Sequence, residues 1–412
     1  MKNGFFNVLS VTEFVDVLRT FAPLPEESVS GMTADGRVLA QDMVSPEDLP
    51  LAARSCMDGY ALRAQDVFGA SEMNPAYLES AGVVNIEKPA SFGLCAGECA
   101  SIVTGGILPE GADAVIMIEH TEELGAGTVE MRKSLAPADN VMLKGEDAEA
   151  GKVALAAGTL LRPQEVGLMA ALGVTDVQVY ARPRVGILST GDELVPVTQK
   201  PEVGQVRDVN SSTLACCVAR AGGVPTQYGL VKDDIASLEA ALRAALEAND
   251  VVFLSGGSSV GTRDLTVAAI ERIEGMQLVN HGVAISPGKP LILARCGNKA
   301  VWGLPGQVAS AQVVMFILGV PFLRHLAGWR NPFDQSLWPA RRAVLTRNVA
   351  SKPGREDYVR VRIDVAEGEV RATPVTGKSG LLKTLILSQG VIRIPSDSEG
   401  VYEGAEVDVL LF

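Results

Sequence analysis

Three glycine-rich polar segments mark the places where this chain could bind a ligand. They are Ser189–Glu193, Ser255–Gly261 and Pro305–Gln307, and each follows a short apolar run. Glycine lets backbone N–H groups approach a ligand closely, and a helix that begins after such a loop directs its positive end at an anion. One loop of this kind is usually a plain turn. Three that end neighbouring strands predict a site for a phosphate or another oxyanion.

Lys289 belongs with these loops as a candidate anion contact. It lies in Pro287–Pro290, a stiff turn that could direct its ammonium group at an anion, although a surface lysine is the plainer interpretation. The predicted ligand-binding residues of the three loops and this turn are Ser189, Thr190, Gly191, Asp192, Ser255, Gly256, Gly257, Ser258, Ser259, Gly261, Lys289, Pro305 and Gly306.

Acidic residues accompany the same loops. Asp192 and Glu193 lie in the first loop, and Asp264 follows the second. A carboxylate beside an anion site is unfavourable unless a divalent cation or a proton-transfer step requires it. Capping of the next helix is the alternative role for Asp264.

A second group of polar turns lies in an earlier part of the chain. These turns are Cys56–Ala61, Thr104–Gly106 and Gly145–Asp147, and ordinary turn chemistry explains each of them taken singly. The segment around them, from about residue 46 to 151, alternates short apolar runs with glycine-rich turns. This pattern predicts a mostly β module.

The segment 183–326 must position the three loops, and its pattern alternates strands with helices. The predicted elements are strands at Arg184–Ser189, Val224–Val231, Val251–Leu254, Leu291–Ala294 and Ala300–Leu304, and helices at Asn210–Ala221, Ile235–Ala248, from about Arg263, and Val308–Leu326. Asn210 or Ser211 is the predicted N-cap of the first helix. This alternation predicts a mostly parallel sheet with helices on both faces, in which ligands bind beyond the carboxyl ends of the strands.

The flanking segments differ from this α/β pattern. Residues 5–45 have helical and then extended spacing, and Pro163–Val179 returns to helix and strand character. From about Pro332 the chain alternates with period two, as in Tyr358–Val365, which predicts a small all-β domain. The arginines of this tail fit the solvated faces of its strands, and they are Arg355, Arg360, Arg362, Arg371 and Arg393.

Composition limits the partners of the whole chain. Its 412 residues carry a formal net charge of −13, which argues against nucleic acid or an anionic membrane as the main partner. The N-terminus lacks the apolar core of a signal peptide, and the longest apolar run, Val313–Phe322, is too short to cross a bilayer. No cysteine forms a CxxC pair and the histidines are scattered, so buried thiols are expected rather than a zinc site. We expect a soluble cytoplasmic protein.

Ordered segments across most of the chain resemble one family. Between residue 8 and about 390 the chain carries, in this order, MDGYAL, TGGILPEGADAVIMIE, KGEDA, ILSTGDEL, RDVNSSTL, FLSGGSSVGTRDLT, SPGKP and GLPG. The sequence resembles the molybdopterin molybdenumtransferases, the MoeA family, which includes the E domain of gephyrin.

The resemblance implies a multidomain fold of α/β and β parts. Its domains would be a discontinuous N-terminal helical and extended domain (1–47 and 150–181), an inserted mainly β domain (48–149), a central molybdopterin-binding α/β domain with a mostly parallel sheet (182–328), and a small C-terminal β domain (333–412). The resemblance also implies a homodimer with a cleft shared between subunits. Other proteins of molybdenum cofactor biosynthesis are further implied partners.

The implied reaction inserts molybdate into adenylylated molybdopterin, releases AMP and yields the molybdenum cofactor. The phosphates of that substrate suit Ser255–Gly261 and Lys289, and Mg²⁺ or Zn²⁺ would let Glu193 and Asp264 lie near them. Arg355 and Ser379 match polar positions that the partner subunit presents to the cleft. The positions that match the catalytic motifs are Asp58, Thr104, Asp147, Glu193 and Asp264, with Asp233 or Asp234 as a further candidate.

Two departures from the family pattern lie at the predicted oxyanion edge. The family's GLPGNP ends here in Gln307 and Val308, and Ser286 stands where a basic residue often precedes PGKP. Three alternatives therefore stay open. They are a tungstate-preferring form of the same enzyme, a molybdopterin adenylyltransferase, whose domain resembles residues 183–326, and a non-catalytic molybdopterin-binding scaffold.

Overall fold

The computed structural model describes residues 8–256 and 260–412, except for the side chains of residues 260–264. α1 starts at a capping box, in which the Ser10 and Glu13 side chains each bond the backbone N–H of the other residue. Its apolar face packs into the core of the α/β domain. The first elements are α1 (Val11–Arg19), β1 (Glu26–Ser30) and β2 (Met43–Val44).

The segment that follows forms the predicted β module. Its elements are β3 (Arg54–Ser55), β4 (Gly59–Leu62), β5 (Ala76–Val83), β6 (Glu98–Ile102), β7 (Ala114–Met117), β8 (Thr121–Gly125), β9 (Thr128–Met131) and β10 (Val141–Met142). Six of these strands form one sheet in the order β7-β4-β6-β5-β9-β8, and β3 pairs with β10. The turn before β4 carries Asp58.

The chain then returns to its first segment. The returning elements are β11 (Val153–Leu155), α2 (Pro163–Ala171) and β12 (Asp176–Tyr180). β12 pairs with β1 and β11 pairs with β2, both antiparallel. The strands on either side of the β module therefore fold together, while the exact domain boundaries stay predictions.

A six-stranded sheet forms the centre of the α/β domain. The elements are β13 (Arg184–Thr190), β14 (Leu194–Val195), β15 (Val206–Arg207), α3 (Asn210–Arg220), β16 (Val224–Val231), α4 (Ile235–Ala248), β17 (Val251–Gly256), α5 (Val260–Glu271), β18 (Gln277–His281), β19 (Ile285–Ser286), β20 (Ile292–Cys296), β21 (Lys299–Leu304), α6 (Val308–Val314) and α7 (Val320–Leu326). The order is β16-β13-β17-β21-β20-β18, and the first four strands are parallel. β20 and β18 add an antiparallel edge.

Apolar side chains cover both faces of this sheet. On one face Trp302 packs edge-on against Phe14 and Phe253, with ring centroids 5.6 and 5.9 Å apart. On the other face Leu242 and Ile270, from α4 and α5, lie in a second buried cluster. The predicted mostly parallel sheet with helices on both faces is confirmed.

Residues 308–326 form one continuous helix, in which a π-helical turn at Met315–Gly319 joins α6 to α7. Pro321, which has no N–H, follows that turn and interrupts the regular bonding. This helix is longer than the apolar run Val313–Phe322, and its length and composition would allow it to cross a membrane. Its most apolar window is 72% buried inside the protein, as in the core helix of a domain.

The tail forms a curled β domain against the α/β domain. Its elements are β22 (Ala340–Leu345), β23 (Val349–Ala350), β24 (Glu356–Ala366), β25 (Glu369–Pro374), α8 (Leu382–Ile386), β26 (Gly390–Ile394), β27 (Gly400–Val401) and β28 (Glu406–Leu411). The sheet runs β19-β24-β25-β22-β28-β26, and a further β24–β26 pairing closes it into a barrel. β19 enters this sheet from the α/β domain, with Ile285 opposite Glu356. The predicted class, multidomain α/β plus β, is confirmed.

Candidate functional site

The parallel register places the ends of three strands side by side. Ser189 of β13 lies opposite Ser255 of β17, and Ser255 lies opposite Leu304 of β21. One step further, Thr190 lies opposite Gly256, where an added Cβ would approach the Thr190 carbonyl oxygen to 2.2 Å. Only glycine fits at that position. The three predicted loops therefore start from one edge of the sheet.

A cavity of about 200 Å³ opens at this edge. Its lining includes Gly256, Pro305 and Gly306, all predicted ligand contacts, together with Pro290. Lys289, the neighbour of Pro290, is exposed. α6 begins directly after the Gly306 loop, so the positive end of the 308–326 helix lies beside the cavity, where an anion would be favoured.

A buried polar network holds the start of α3 against β13. The hydroxyl of Ser189, which is fully buried, donates to Asp208 Oδ1 at 3.1 Å. The same oxygen accepts the backbone N–H of Ser211 at 3.1 Å, and the Ser211 hydroxyl donates to Oδ2. Asp208 therefore caps α3, and the prediction that Asn210 or Ser211 would do so is wrong.

The first loop places its acidic residues in solvent. Asp192 and Glu193 are both exposed. The Glu193 carboxylate folds over Gly191, because its Oε2 would lie 2.9 Å from a Cβ built at Gly191. The hydroxyl of Thr190 donates to Asp233, which adds a carboxylate to this edge.

Part of the second loop, and one member of the proposed metal pair of Glu193 and Asp264, lie outside the described residues. These are Gly257, Ser258, Ser259 and the side chain of Asp264, whereas Gly261 falls within the backbone of α5. Within residues 8–256 and 265–412, no three His, Cys, Asp or Glu side chains form a metal-binding group.

Asp58 and Thr104 meet in the inserted β module. Asp58 Oδ1 accepts the backbone N–H of Thr104 at 2.7 Å and its hydroxyl at 2.8 Å. These two bonds, the backbone bond first, hold the pKa of Asp58 below its ordinary value. Asp58 is therefore an ionised, exposed carboxylate at neutral pH. Asp147 is also exposed, and its backbone N–H bonds the carbonyl oxygen of Leu49.

The C-terminal domain brings two predicted residues near the α/β domain of the same chain. The carbonyl oxygen of Ser379 accepts the backbone N–H of Ala309, in the first turn of α6, at 2.9 Å. Arg355 Nε lies 3.0 Å from Asp357 Oδ1. Asp357 itself pairs in register with Ser286, the residue before the Pro287–Pro290 turn.

Arg360 is buried, although the sequence analysis assigned it to a solvated face, and that prediction is wrong. Only 8% of it is exposed. Its Nη2 donates to the Gly377 carbonyl oxygen at 3.3 Å, while Nε and Nη1 have no hydrogen-bond partner within the described part of the chain. Burial lowers the pKa of Arg360. A buried guanidinium with two unpaired donor atoms is unfavourable unless a negative charge lies nearby. Its partner Gly377 is two residues before Ser379, so we expect an anion near this loop.

Strand β24 shows why the sequence pattern concealed Arg360. The neighbouring Tyr358, on the same face, packs into the core shared with the α/β domain, and Val361, on the other face, fills the barrel. The first half of β24 is therefore buried on both sides. Farther along, Arg362 is exposed as predicted and pairs with Asp364.

The cysteines also differ from expectation. Cys56, Cys95 and Cys216 are exposed rather than buried, whereas Cys99 is buried. Burial raises the pKa of the Cys99 thiol to about 12. The sequence prediction of buried thiols therefore holds for Cys99 and is wrong for the exposed three.

The chain has an α/β domain between two β-rich parts, and its candidate ligand loops lie at the carboxyl edge of the α/β sheet. This arrangement is that of a multidomain molybdopterin-binding protein. A model described as "probable molybdopterin binding domain" matches residues 186–325. Models of the "MoeA N-terminal region (domain I and II)" and the "MoeA C-terminal region (domain IV)" match residues 9–173 and 342–412. The chain belongs to the MoeA family.

Relatives cover nearly all of the chain. A putative molybdopterin biosynthesis protein of Methanocaldococcus jannaschii is 37% identical over 93% of this chain and 92% of its own. The molybdopterin molybdenumtransferase of Haemophilus influenzae is 34% identical over 94% of both chains. A crystal structure of the molybdopterin biosynthesis MoeA protein from Pyrococcus horikoshii OT3 is 30% identical with a TM-score of 0.81, covering 98% of this chain and 100% of that one. The resemblance seen in the motifs is confirmed.

Proposed function

We propose that the chain is a molybdopterin molybdenumtransferase. It inserts molybdate into adenylylated molybdopterin, cleaves the phosphoanhydride bond, and releases AMP and the molybdenum cofactor. The observation that carries this proposal is the cavity at the carboxyl edge, bounded by Gly256 and Gly306, in a chain related over nearly its whole length to molybdenumtransferases. An adenylyltransferase needs only the α/β domain, so the three further parts of the chain favour the transferase.

Phosphate groups of the substrate suit the side of the cavity formed by β17 and α5. Ser255 and Gly256 end β17, and α5 starts at Val260 with its positive end toward that loop. Lys289 is exposed and directly precedes Pro290 of the cavity wall, so it would supply a compensating positive charge.

The oxyanion suits the opposite side, near the start of α6. Ser379 contacts the first turn of that helix, and Arg360 lies beneath the Gly377 loop that leads to Ser379. Arg360 would place a buried positive charge beneath this side of the site, where it would attract an oxyanion. Molybdate and tungstate have nearly the same size and charge, so this geometry accepts both.

The Asp58–Thr104 pair would act as a general base. Thr104 holds one carboxylate oxygen of Asp58, which leaves the other to accept a proton from water. Within a single chain, the described hydrogen bonds of Asp58 and Thr104 are all made to residues of the inserted module. We therefore infer that a second copy of the chain brings its own Asp58, Thr104 and Asp147 to the cleft.

A homodimer would also cover an exposed apolar groove. This groove, of about 720 Å³, lies between α3, the 308–326 helix and the C-terminal domain, and its lining includes Phe316, Trp338 and Ile386. Ile386 is 76% exposed. Ile386→Asp should convert a dimer into a monomer in light scattering, whereas Met73→Asp, at a 99% exposed position of the inserted module, should not. A dimer that survives Ile386→Asp would place the interface elsewhere.

A magnesium ion fits this site better than zinc. Zinc needs three or four protein ligands, and the described residues hold no such group. Magnesium shared with substrate phosphates needs only one or two carboxylates, and Glu193, with Asp264 from α5, would supply them. When bound, the ion would neutralise phosphate charge. Loss of AMP release in EDTA, restored by Mg²⁺ alone, would support this assignment.

The decisive experiment mixes the purified protein with adenylylated molybdopterin, Mg²⁺ and either molybdate or tungstate. AMP release and cofactor formation are followed for each oxyanion. AMP with molybdate supports the transferase, and faster turnover with tungstate supports the tungstate form. No AMP with either oxyanion would contradict the proposal and favour a scaffold. Adenylylation of molybdopterin by ATP would favour the adenylyltransferase.

A further inference from the structure

Asn210, at the start of α3, joins two of the three ligand loops. Its Nδ2 donates to Ser255 Oγ at 2.7 Å and to the carbonyl oxygen of Gly306 at 2.8 Å. Ser255 is 1% exposed, so this link lies in the buried floor of the site. The other amide atom, Asn210 Oδ1, is buried and has no hydrogen-bond partner among the residues that the structure describes.

The backbone that carries Asn210 is itself anchored. Asp208 caps α3 and accepts a hydrogen bond from Ser189 at the end of β13. The amide of Asn210 then reaches the ends of β17 and β21. A single short segment thus ties together the three parallel strands whose ends form the site, and it does so from below the loops.

We propose that Asn210 is a positioning residue that sets the spacing between the end of β17, on the phosphate side, and the Gly306 loop on the oxyanion side. By donating to both Ser255 Oγ and the Gly306 carbonyl oxygen, Asn210 fixes the distance between the end of β17 and the Gly306 loop. This inference rests on the proposed function, because it assigns the two loops to the two substrates.

Asn249 provides a matched control in the same domain. Its side chain makes the same kind of bonds as Asn210: Nδ2 of Asn249, which is 1% exposed, donates to the Tyr228 hydroxyl at 2.8 Å and to the Ala245 carbonyl oxygen at 2.7 Å. Asn249 lies just before the start of β17, whereas Asn210 bonds Ser255 near the end of that strand. A general loss of stability should therefore appear in variants of both residues, and a loss of loop spacing only in those of Asn210.

The test compares Asn210→Ala, Asn210→Asp and Asn249→Ala with the parent protein. Amide hydrogen exchange of residues 304–311 should accelerate at least fivefold in both Asn210 variants and remain unchanged in Asn249→Ala. In AMP release, the Asn210 variants should raise the KM for molybdate and lower kcat at least tenfold, whereas Asn249→Ala should lower Tm alone. Asn210→Asp nearly preserves shape, so it tests the donor role even if the alanine variant folds poorly.

Each result has a separate meaning. Unchanged exchange in both Asn210 variants, or kinetic effects equal to those of Asn249→Ala, would overturn the positioning role. If the parent protein releases no AMP, the proposed function fails, and the exchange comparison alone then confirms or overturns the link between the loops.

Discussion

Asp233 accepts a hydrogen bond from the buried hydroxyl of Thr190, whereas the next residue, Asp234, accepts the backbone N–H of Ser237 at 2.8 Å and caps α4. Thr190 ends β13, so Asp233 belongs to the carboxyl edge of the sheet. The cap bond lowers the pKa of Asp234. The motif offered both aspartates as candidates, and their hydrogen bonds separate the two roles.

Alanine at each aspartate should therefore give opposite results. Asp233→Ala should lower kcat/KM for AMP release at least tenfold with little change in Tm, because it removes a carboxylate from the site. Asp234→Ala should cost about 1 kcal/mol of stability through the lost N-cap and leave kcat near normal. Thermal unfolding and AMP release measure both. Equal kinetic losses in the two variants would contradict the assignment.

Arg360 should control oxyanion affinity. Arg360→Met removes a buried cation with two free donor atoms and should raise the molybdate concentration for half-maximal turnover at least tenfold. Arg362→Met, on the exposed part of the same strand, should change it less than twofold. The two KM values for molybdate decide the question. If the Arg360 variant keeps the parent KM, its unpaired donors serve no oxyanion.

Sequence periodicity was most informative where one face of an element meets solvent. The spacing of the α/β segment predicted α3, β16 and α4 nearly to the residue, because their apolar faces alternate with exposed ones. The pattern placed Arg360 in solvent, since nothing local shows that the α/β domain covers that half of β24. Burial of this kind comes from packing between domains.

The site was predictable in its parts but not in its connections. The strand ends that precede the glycine segments were predicted correctly, because an apolar run followed by glycine is a local signal. The bridge from Asn210 to Gly306 spans 96 positions of sequence, and no local pattern indicates it. The sequence analysis predicted Asn210 as a cap of α3 because asparagine commonly has that role. In the structure the Asp208 side chain accepts the free backbone N–H of Ser211 in the first turn of α3.

Thr104 should tune the acidity of Asp58. Its backbone N–H and hydroxyl both stabilise the carboxylate and hold the pKa of Asp58 below the ordinary value. Thr104→Val keeps the backbone bond and loses the hydroxyl bond, so the pKa of Asp58 should rise. Because an ionised Asp58 is needed, the acidic limb of kcat/KM should move to higher pH in the variant. Carbon NMR titration of Asp58 measures the shift directly, and an unmoved titration would show that the hydroxyl bond has no influence.

The residues that replace the family's asparagine and proline should weaken oxyanion binding. Gln307 is the N-cap of α6 but makes no side-chain cap bond, and Val308 is the first helical residue. Asparagine caps helices far better than glutamine, and proline is favoured at the first helical position. Gln307 has φ −75° and ψ 122°, an extended conformation compatible with a following proline. The loop can therefore accept the usual pair without strain.

Restoring the pair, Gln307→Asn with Val308→Pro, should order the loop before the anion arrives. Proline at a compatible position stabilises by about 0.4–1 kcal/mol, mainly by restricting the unfolded chain, and the new cap adds a similar amount. The molybdate concentration for half-maximal AMP release should fall by a factor of about 2–5 if part of this free energy otherwise opposes binding. Calorimetric affinity for adenylylated molybdopterin should stay constant, because its phosphates lie on the β17 side. A molybdate curve that does not move, or a change in pterin affinity alone, would show that this loop does not set oxyanion affinity.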